Sequence, residues 1–254
     1  MNFKYAILRK PSKSLSGGLR SVDYGDPDYK LALVQHSAYI LALQECGLEV
    51  TILEPLEEYP DSVFIEDVAL CTPGGAIICK PGAGSRKGEE IHIVNAIRQH
   101  FQQPGIIISP GTVEAGDIMM AGKHFYIGLS QRTNREGAEQ MIAALEKYGF
   151  SGSCIPLKGI LHLKTGISYL ENNNILCWKE MSLLPEFSQY NKLVVPDNEK
   201  YAANSVWING TVLVPRGNPV SERLIKEHGY NTIALDMSEF RKLDGGLSCL
   251  SLRF

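Results

Sequence analysis

Apolar and polar positions follow a plan that recurs along the whole chain. Each recurrence begins with a polar or reactive residue, followed by an apolar run, a tight turn and a second apolar run. The five segments with this plan cover residues 64–80, 113–129, 161–178, 202–215 and 245–254. Turns such as Asn-Gly in the fourth segment are typical of paired antiparallel strands. The pattern therefore predicts five strand pairs, the last of which closes on the apolar run at residues 3–9.

Helical patterns fill the gaps between these pairs. Asp26 as N-cap and Pro27 as first helical residue predict a helix that ends at Gly47. Its apolar positions include Leu31, Val34, Ala38, Leu41 and Cys46. A second pattern predicts a helix over residues 85–101. A capping box at residues 133–136 opens a third helix.

A short apolar strand follows each helix, so the predicted unit is strand–strand–helix–strand. A chain that starts and ends within a unit suits a closed ring. We therefore predict an α/β fold, a five-bladed α/β propeller of pseudo-fivefold ββαβ repeats, in a single domain over residues 1–254. The reactive positions of the repeats, here called the axial positions, are Glu66, Glu114, His162, Asn204 and Cys249, spaced 48, 48, 42 and 45 residues apart. The alternative is an α+β sandwich with accidental spacing.

Composition excludes several classes of protein. The formal net charge is -3 and no long basic run occurs, which argues against a nucleic-acid partner. No apolar stretch reaches the ~18 residues of a membrane span, and the N-terminus does not resemble a secretion signal, so we expect no membrane partner and a cytoplasmic protein. The six cysteines are scattered without a CxxC pair, and the six histidines form no pair at ligand spacing. We therefore expect neither a metal nor a cofactor.

Cys249 and His162 are the candidate reactive pair. Cys249 follows two glycines, which allow close approach of the backbone to a neighbour. A free thiol is mostly protonated at neutral pH and needs a cation or a base to react. Such a pair could attack a peptide carbonyl or a guanidinium carbon. Carboxylates concentrated in residues 61–67 and 114–117 favour a guanidinium, because its planar N–H groups pair with carboxylates and its charge favours the thiolate.

Four motifs resemble those of the dimethylarginine dimethylaminohydrolase family, especially its bacterial members. They are Asp-Ser-Val-Phe-Ile-Glu-Asp at 61–67, Gly-Asp at 116–117, Leu-His-Leu-Lys at 161–164 and Asp-Gly-Gly-Leu-Ser-Cys at 244–249. The resemblance runs from the first strand to Phe254. It implies the five-bladed propeller of the guanidino-modifying (pentein) superfamily. It also implies hydrolysis of a small-molecule substrate, a methylated arginine, to citrulline and an amine, and it suggests a homodimer.

The resemblance also implies roles for individual residues. Cys249 would be the nucleophile, and His162 would act first as the acid and then as the base. Glu114 would orient His162 and stabilise its positive charge. The implied substrate-binding residues are Glu66 and Asp67 for the guanidinium, Arg86 and Arg132 for the α-carboxylate, Asp61 with the backbone oxygens of Leu19 and Leu243 for the α-amino group, and Phe64. The paired glycines before Leu19 suit a mobile lid. Lys87 departs from relatives that often have a second arginine there.

Two other functions stay open at this point. An arginine deiminase would use the same catalytic group, but such enzymes usually carry an inserted helical domain, and no insertion fits between these repeats. A non-catalytic propeller that acts as a binding protein would lack the cysteine–histidine pair.

Overall fold

Five three-stranded sheets build the molecule in the computed structural model, which describes residues 2–254. In chain order the strands are β1 (Tyr5–Arg9), β2 (Glu49–Leu53), β3 (Ala69–Thr72), β4 (Gly75–Ile78), β5 (Gly105–Ile106), β6 (Ile118–Ala121), β7 (His124–Leu129), β8 (Ser151–Pro156), β9 (Ile167–Tyr169), β10 (Asn174–Cys177), β11 (Asn191–Val194), β12 (Val206–Ile208), β13 (Thr211–Pro215), β14 (Asn231–Leu235) and β15 (Leu252–Arg253). In every sheet the middle strand pairs antiparallel with one neighbour and parallel with the other. The predicted strand plan is thus confirmed five times over.

Helices connect the second and third strands of the units, as predicted. The α-helices are α1 (Tyr29–Glu45), α2 (Val94–Arg98), α3 (Arg135–Lys147), α4 (Leu163–Gly166), α5 (Lys179–Ser182), α6 (Pro219–Glu227) and α7 (Ser238–Arg241). Among residues 2–254, no helix is long and apolar enough to cross a membrane.

Ring closure joins the two ends of the described chain. Strand β15 pairs antiparallel with β1, so that Ala6 lies opposite Arg253 and Ile7 opposite Leu252. The first strands of neighbouring units contact one another around the axis. For example, β6 contacts β9, and β9 contacts β12. Each axial position lies within or next to the short helical turn that leads into such a strand, and Asn204 directly follows its turn. The five-bladed propeller therefore brings these positions together, and the sandwich alternative is wrong.

Helix α1 differs from its prediction in its start and in its buried face. Asp28, not Asp26, is the N-cap, and its side chain accepts hydrogen bonds from two backbone N–H groups of the first turn. The helix therefore begins two residues later than expected. The apolar positions Val34 and Leu41 are 63% and 65% exposed, whereas Gln35 and His36 are buried. Gln35 is buried because its amide bonds to two residues at the start of α7.

Two further helix predictions need correction. The segment 85–101 is not one helix: 3-10 turns at Gly84–Arg86 and Glu89–Ile93 precede the five-residue α2. Gly88, with φ of 90°, separates the two turns in a conformation that favours glycine. At α3 the N-cap is Asn134, which accepts from the N–H of Gly137, so the helix starts one residue later than predicted and has glycine instead of the glutamate that a capping box requires at N3. Glycine at 149 ends that helix as predicted, with φ of 79°.

Candidate active site

Cys249 and His162 line one cavity of about 270 Å³ at one end of the propeller axis. Asn204 also lines this cavity, so three of the five axial positions border the same space. Ser21, Val22 and Tyr24 of the loop between β1 and α1 cover part of it. The loop is tied down by Ser21, whose hydroxyl donates to Asp244 at 2.9 Å. The predicted lid thus lies over the cavity, and a polar contact holds it there.

A short hydrogen bond joins His162 to Glu114. The Nε2 atom of His162 lies 2.8 Å from Oε2 of Glu114, and both residues are buried. The other carboxylate oxygen of Glu114 accepts from the backbone N–H groups of Gly82 and Ala83, each at 3.1 Å. Glu114 is therefore fixed at both oxygens and can hold the imidazole in one orientation.

Asp117 fixes the backbone on the other side of His162. Its Oδ1 accepts from the N–H of Leu163 at 3.0 Å, and its Oδ2 accepts from the Ser130 hydroxyl at 2.6 Å. Gly116 packs so tightly against this histidine that a Cβ atom there would lie 2.7 Å from Nδ1. The Gly-Asp motif therefore leaves space for the His162 ring and holds the chain next to it.

Cys249 lies in a 3-10 turn that two glycines make possible. A Cβ at Gly245 would lie 2.2 Å from the ring of Phe64, and one at Gly246 would lie 2.5 Å from the amide of Asn204. Both positions must therefore be glycine for the turn to pack, as the sequence suggested. The N–H of Gly246 points at Sγ of Cys249 at 3.5 Å. This donor stabilises a thiolate once one forms.

The surroundings shift the two reactive groups toward their protonated forms. Burial and the nearby charges of Glu66 and Asp67 raise the pKa of Cys249 to about 12, against smaller opposite effects of the Gly246 N–H and Lys164. Burial alone would lower the pKa of His162, but neighbouring carboxylates, first Asp67 and then Glu114, raise it to about 9. For Glu114, burial is outweighed by the hydrogen bond and charge of His162, so its pKa is lowered. At neutral pH the empty site holds a thiol, an imidazolium and a carboxylate.

The two carboxylates expected to bind a guanidinium are already engaged in part. Oε1 of Glu66 contacts Lys164 at 2.6 Å and Arg253 at 2.9 Å, while its buried Oε2 has no hydrogen-bond partner among residues 2–254. Asp67 accepts from Arg86 at 2.7 Å and from the N–H of Gly116 at 3.0 Å. Neither side chain lines the cavity beside Cys249, yet the charges of both act on its thiol.

The two arginines expected to bind a carboxylate have different surroundings. Arg86 is buried, and its guanidinium donates to Glu89, to Asp67 and to the carbonyl of Phe64. Acceptors on three residues thus hold Arg86 inside the protein. Arg132 is half-buried, and its charge lowers the pKa of Glu114. Arg132 has the more accessible guanidinium of the two.

The residues expected at the α-amino group lie close together. Asp61 is buried and accepts from the N–H of Leu19 at 2.9 Å. A Cβ at Gly18 would touch both Asp61 and the side chain of Leu243. Phe64 is buried and packs edge-on against Phe240, with ring centroids 6.3 Å apart. None of these side chains lines the cavity beside Cys249.

Several residues at the cavity escaped the sequence-based assignment. In the sequence, Asn204 was marked only by its spacing. Its side-chain amide donates to the Lys164 carbonyl at 3.0 Å and to the Ser248 hydroxyl at 3.1 Å. It thus links the two segments that carry His162 and Cys249. Arg241 lines the cavity and lies 4.8 Å from the ring centroid of Tyr201. No sequence signal marks Arg241, because its position depends on how α7 packs.

One cluster has the composition of a metal site. Ligand atoms of Asp67, Glu114 and His162 lie within 4.8 Å of one another. The Glu114 oxygens are taken up by His162 and two backbone N–H groups, and the Asp67 oxygens by Arg86 and Gly116. Cationic groups of the protein thus already neutralise this cluster, and the expectation of no metal stays a prediction.

Comparison with known proteins gives a consistent result. The family model for eukaryotic N,N dimethylarginine dimethylhydrolase matches residues 25–172. N(G),N(G)-dimethylarginine dimethylaminohydrolase of Pseudomonas aeruginosa is 53% identical over 99% of this chain and 100% of its own length. The enzyme of the same name from Streptomyces coelicolor is 32% identical over 100% of this chain and 98% of its own length.

Solved structures give the same answer. A C249S mutant of the Pseudomonas aeruginosa enzyme, complexed with citrulline, covers all of both chains with a TM-score of 0.99 and 52% identity. The N-terminal domain of the arginine dihydrolase ArgZ from cyanobacteria, at 18% identity and a TM-score of 0.86, shares the fold over 99% of this chain and 98% of its own. The sequence identity, the fold and the motifs around Cys249 and His162 together show that this chain belongs to the dimethylarginine dimethylaminohydrolase family.

Proposed function

We propose that this protein hydrolyses Nω,Nω-dimethyl-L-arginine and Nω-monomethyl-L-arginine to L-citrulline and dimethylamine or methylamine. The observation that carries the proposal is the cavity in which Cys249 lies with the His162–Glu114 pair, within the field of Glu66 and Asp67. Buried carboxylates oppose thiolate formation but favour a bound cation. A bound guanidinium would be attracted by these carboxylates, and its positive charge would favour the Cys249 thiolate.

In the first half of the reaction, the bound cation favours loss of the Cys249 thiol proton to solvent, and the resulting thiolate Sγ forms a bond to the guanidinium carbon. The C–N bond to the methylated nitrogen then breaks, and that nitrogen takes a proton from His162 and leaves as the amine. A covalent thiouronium intermediate remains on Cys249. The raised pKa of His162 supports this role, because the imidazole must carry its proton when the amine departs.

In the second half, the now neutral His162 takes a proton from a water molecule. The resulting hydroxide adds to the carbon of the intermediate, the C–S bond breaks and citrulline forms. Glu114 holds the imidazole through both halves and stabilises its charged form. A dimethylarginine dimethylaminohydrolase that is 52% identical to this chain and carries an H162G replacement has been solved as an adduct with S-methyl-L-thiocitrulline, which supports a covalent route.

The assignment of substrate-binding residues rests on the resemblance to the family, because none of these side chains lines the cavity beside Cys249. Glu66 and Asp67 act on this cavity through their negative charges, which raise the pKa of Cys249 and would attract a cation. We assign the guanidinium to Glu66 and Asp67, and the α-amino group to Asp61 with the backbone oxygens of Leu19 and Leu243. We assign the α-carboxylate to Arg132 and Arg86, of which Arg132 is the more accessible. We assign the apolar part of the substrate to Phe64.

Turnover measured side by side on dimethylarginine, monomethylarginine and arginine tests this proposal. We expect citrulline from both methylated substrates and little from arginine. Comparable or faster turnover of arginine would indicate an arginine deiminase. Absence of citrulline from all three, with no covalent adduct detectable by intact mass, would leave a non-catalytic binding protein.

We also propose that the protein forms a homodimer through α1. Its exposed face carries Leu31, Val34, Ala38 and Leu41, spaced three and four residues apart as in a helix–helix seam. An antiparallel copy related by a two-fold axis between Ser37 and Ala38 would place Val34 opposite Leu41. The small side chain of Ala38 permits close approach of the helices at the axis.

The ends of α1 match in charge under the same axis. Lys30 and Glu45 are both exposed, and the two-fold axis that pairs Val34 with Leu41 also pairs Lys30 with Glu45 of the second copy. An isologous interface needs such self-complementarity, because the same patch meets itself. The helix thus offers an apolar centre with opposite charges at its two ends.

Mass measured by light scattering after size exclusion tests the dimer. We expect Leu41→Glu to give monomers, whereas Leu183→Glu, at an equally exposed leucine on another surface, should not. Lys30→Glu should weaken the dimer, and the additional change Glu45→Lys should restore it. A monomeric parent protein, or no effect of Leu41→Glu, would contradict the interface.

We further propose a cytoplasmic location. All six cysteines are free, including buried and half-buried thiols that a reducing compartment would keep so. Fractionation of cells that produce the protein, with a cytoplasmic marker as reference, tests this assignment.

A further inference from the structure

A second cavity of about 480 Å³ lies on the same axis, behind the nucleophile. Lys164 and Ser248 border both cavities, so they form a partition between this axial cavity and the one that contains Cys249. Strands β15, β3, β6, β9 and β12, the first strands of all five units, supply its walls. Its mouth, near the exposed residues Asn2 and Lys4, is formed by different residues from the mouth of the catalytic cavity.

The walls and the deep end of the axial cavity differ in chemistry. Aromatic and thioether side chains such as Phe101, Phe125, Met119 and Met120 line the walls. A pocket of this size with apolar walls and few polar groups is typical of small-molecule sites. The apolar walls would accommodate the body of a ligand rather than a second arginine.

Three polar atoms of residues that line this cavity have no hydrogen-bond partner among residues 2–254: Oε2 of Glu66, which is an acceptor, and two donors. The hydroxyl of Ser168 and the indole Nε1–H of Trp207 are both buried at the cavity, and Ser168 as a whole is only 7% exposed. By contrast, Nε1 of Trp178, at the catalytic cavity, donates to the Lys200 carbonyl at 2.8 Å. Buried donors are normally satisfied, so Ser168 and Trp207 indicate a molecule that accepts from them.

Donors also predominate beside the partition. The indole and hydroxyl donors lie in a cavity that Lys164 and Arg253 border, and these two cations share the single oxygen Oε1 of Glu66. An ammonium has three hydrogens, and one contact to Glu66 leaves others for a ligand. Two cations thus face the single carboxylate of Glu66 at this end of the cavity, and their excess positive charge favours an anionic head group.

From this geometry we infer that the axial cavity is a second ligand site, separate from the catalytic one, for a small carboxylate with an apolar body. The carboxylate accepts from the Trp207 indole and the Ser168 hydroxyl, and the apolar body packs between the aromatic and methionine side chains. The site adjoins the partition behind Cys249, but its occupant enters from the opposite end of the axis.

Benzoate is a suitable probe, with tryptophan emission as the readout. The chain has two tryptophans, Trp178 at the catalytic cavity and Trp207 at the axial cavity, so Trp178→Phe and Trp207→Phe variants report on one cavity each. We expect saturable change of Trp207 emission with benzoate that excess citrulline does not reverse, and little change with benzylamine. Ser168→Ala should weaken benzoate binding about tenfold, the effect of one hydrogen bond to a charged group.

The matched control is Ser182→Ala, on a helix outside the cavity, which should bind benzoate like the parent. A cavity that holds only water would show no saturable change of Trp207 emission, and this would overturn the proposal. Reversal by citrulline would assign the probe to the catalytic cavity instead. Equal binding of benzylamine, or unchanged binding in Ser168→Ala, would contradict the proposed head group.

Discussion

His162 and Cys249 line the same cavity, but their surroundings leave one charged and the other neutral. Carboxylates around His162 raise its pKa to about 9, so the acid is ready before substrate binds. Burial and the same carboxylate charges raise the pKa of Cys249 to about 12, so the nucleophile is still a protonated thiol before substrate binds. One set of negative charges thus prepares the acid and restrains the thiol. A bound cation would remove the restraint, which makes substrate part of the activation of Cys249.

The largest effect is expected from Cys249→Ser. A hydroxyl in place of the thiol should lower citrulline formation by at least about 10⁴-fold, because the covalent step is lost. Citrulline release and intact-mass detection of a trapped intermediate measure this. Cys154→Ser, at a half-buried cysteine outside the cavity, is the matched control and should retain both. Substantial turnover by Cys249→Ser would mean that another group is the nucleophile.

Glu114→Gln tests how the acid is prepared. The amide keeps the shape of the side chain but removes the charge that helps to raise the pKa of His162. We expect kcat to fall roughly 100-fold, with the basic limb of its pH profile moved to lower pH. A profile that keeps its position would show that Glu114 does not set the protonation of His162.

Ser21→Ala tests the loop that covers the cavity. It removes the hydroxyl that donates to Asp244 and leaves the backbone contact in place. Loss of one hydrogen bond should raise KM roughly two- to fivefold with little effect on alkylation of the empty enzyme. Ser182→Ala, which removes one hydroxyl hydrogen bond on α5 away from both the cavity and α1, serves as the control. An unchanged KM would mean that this contact does not hold the loop over substrate.

The raised pKa of His162 also predicts how stability depends on pH. The folded state binds the imidazole proton more tightly than the unfolded state does. The stabilisation is therefore fully present below pH 6.5 and is lost as pH rises toward about 9. Urea unfolding should give a smaller free energy at pH 9 than at pH 6.5, and His162→Gln should reduce this difference. An equal difference in the variant would assign it to other groups.

Much of the fold could be predicted because each repeat has a recognisable local sequence pattern. Each strand pair has its own turn, each unit has a polar residue before its first strand, and β15 completes the sheet that begins with β1. The regular spacing of Glu114, His162 and Cys249 along the chain therefore reflects their common place at the axis. The glycines at 245 and 246 also indicated a close approach of the backbone to a neighbour, and the structure has such contacts at both positions.

What the sequence could not show depends on tertiary contacts. The exposed face of α1 has apolar residues that look like core, whereas Gln35 is buried because α7 supplies its partners. Arg86 is buried because Glu89 and Asp67 neutralise its charge inside the protein, which the local sequence does not show. Lys164 and Arg253 both form ion pairs with one oxygen of Glu66, and no local sequence pattern predicts these contacts.

The electrostatics of the site imply that the thiol of Cys249 is protonated in the empty enzyme and becomes reactive when a cation binds. Iodoacetamide alkylation of this cysteine as a function of pH, followed by peptide mass and referred to Cys249→Ser, measures its protonation directly. We expect slow alkylation at neutral pH that rises only in alkaline solution. A thiolate fully formed near pH 6 without any ligand would contradict this protonation state.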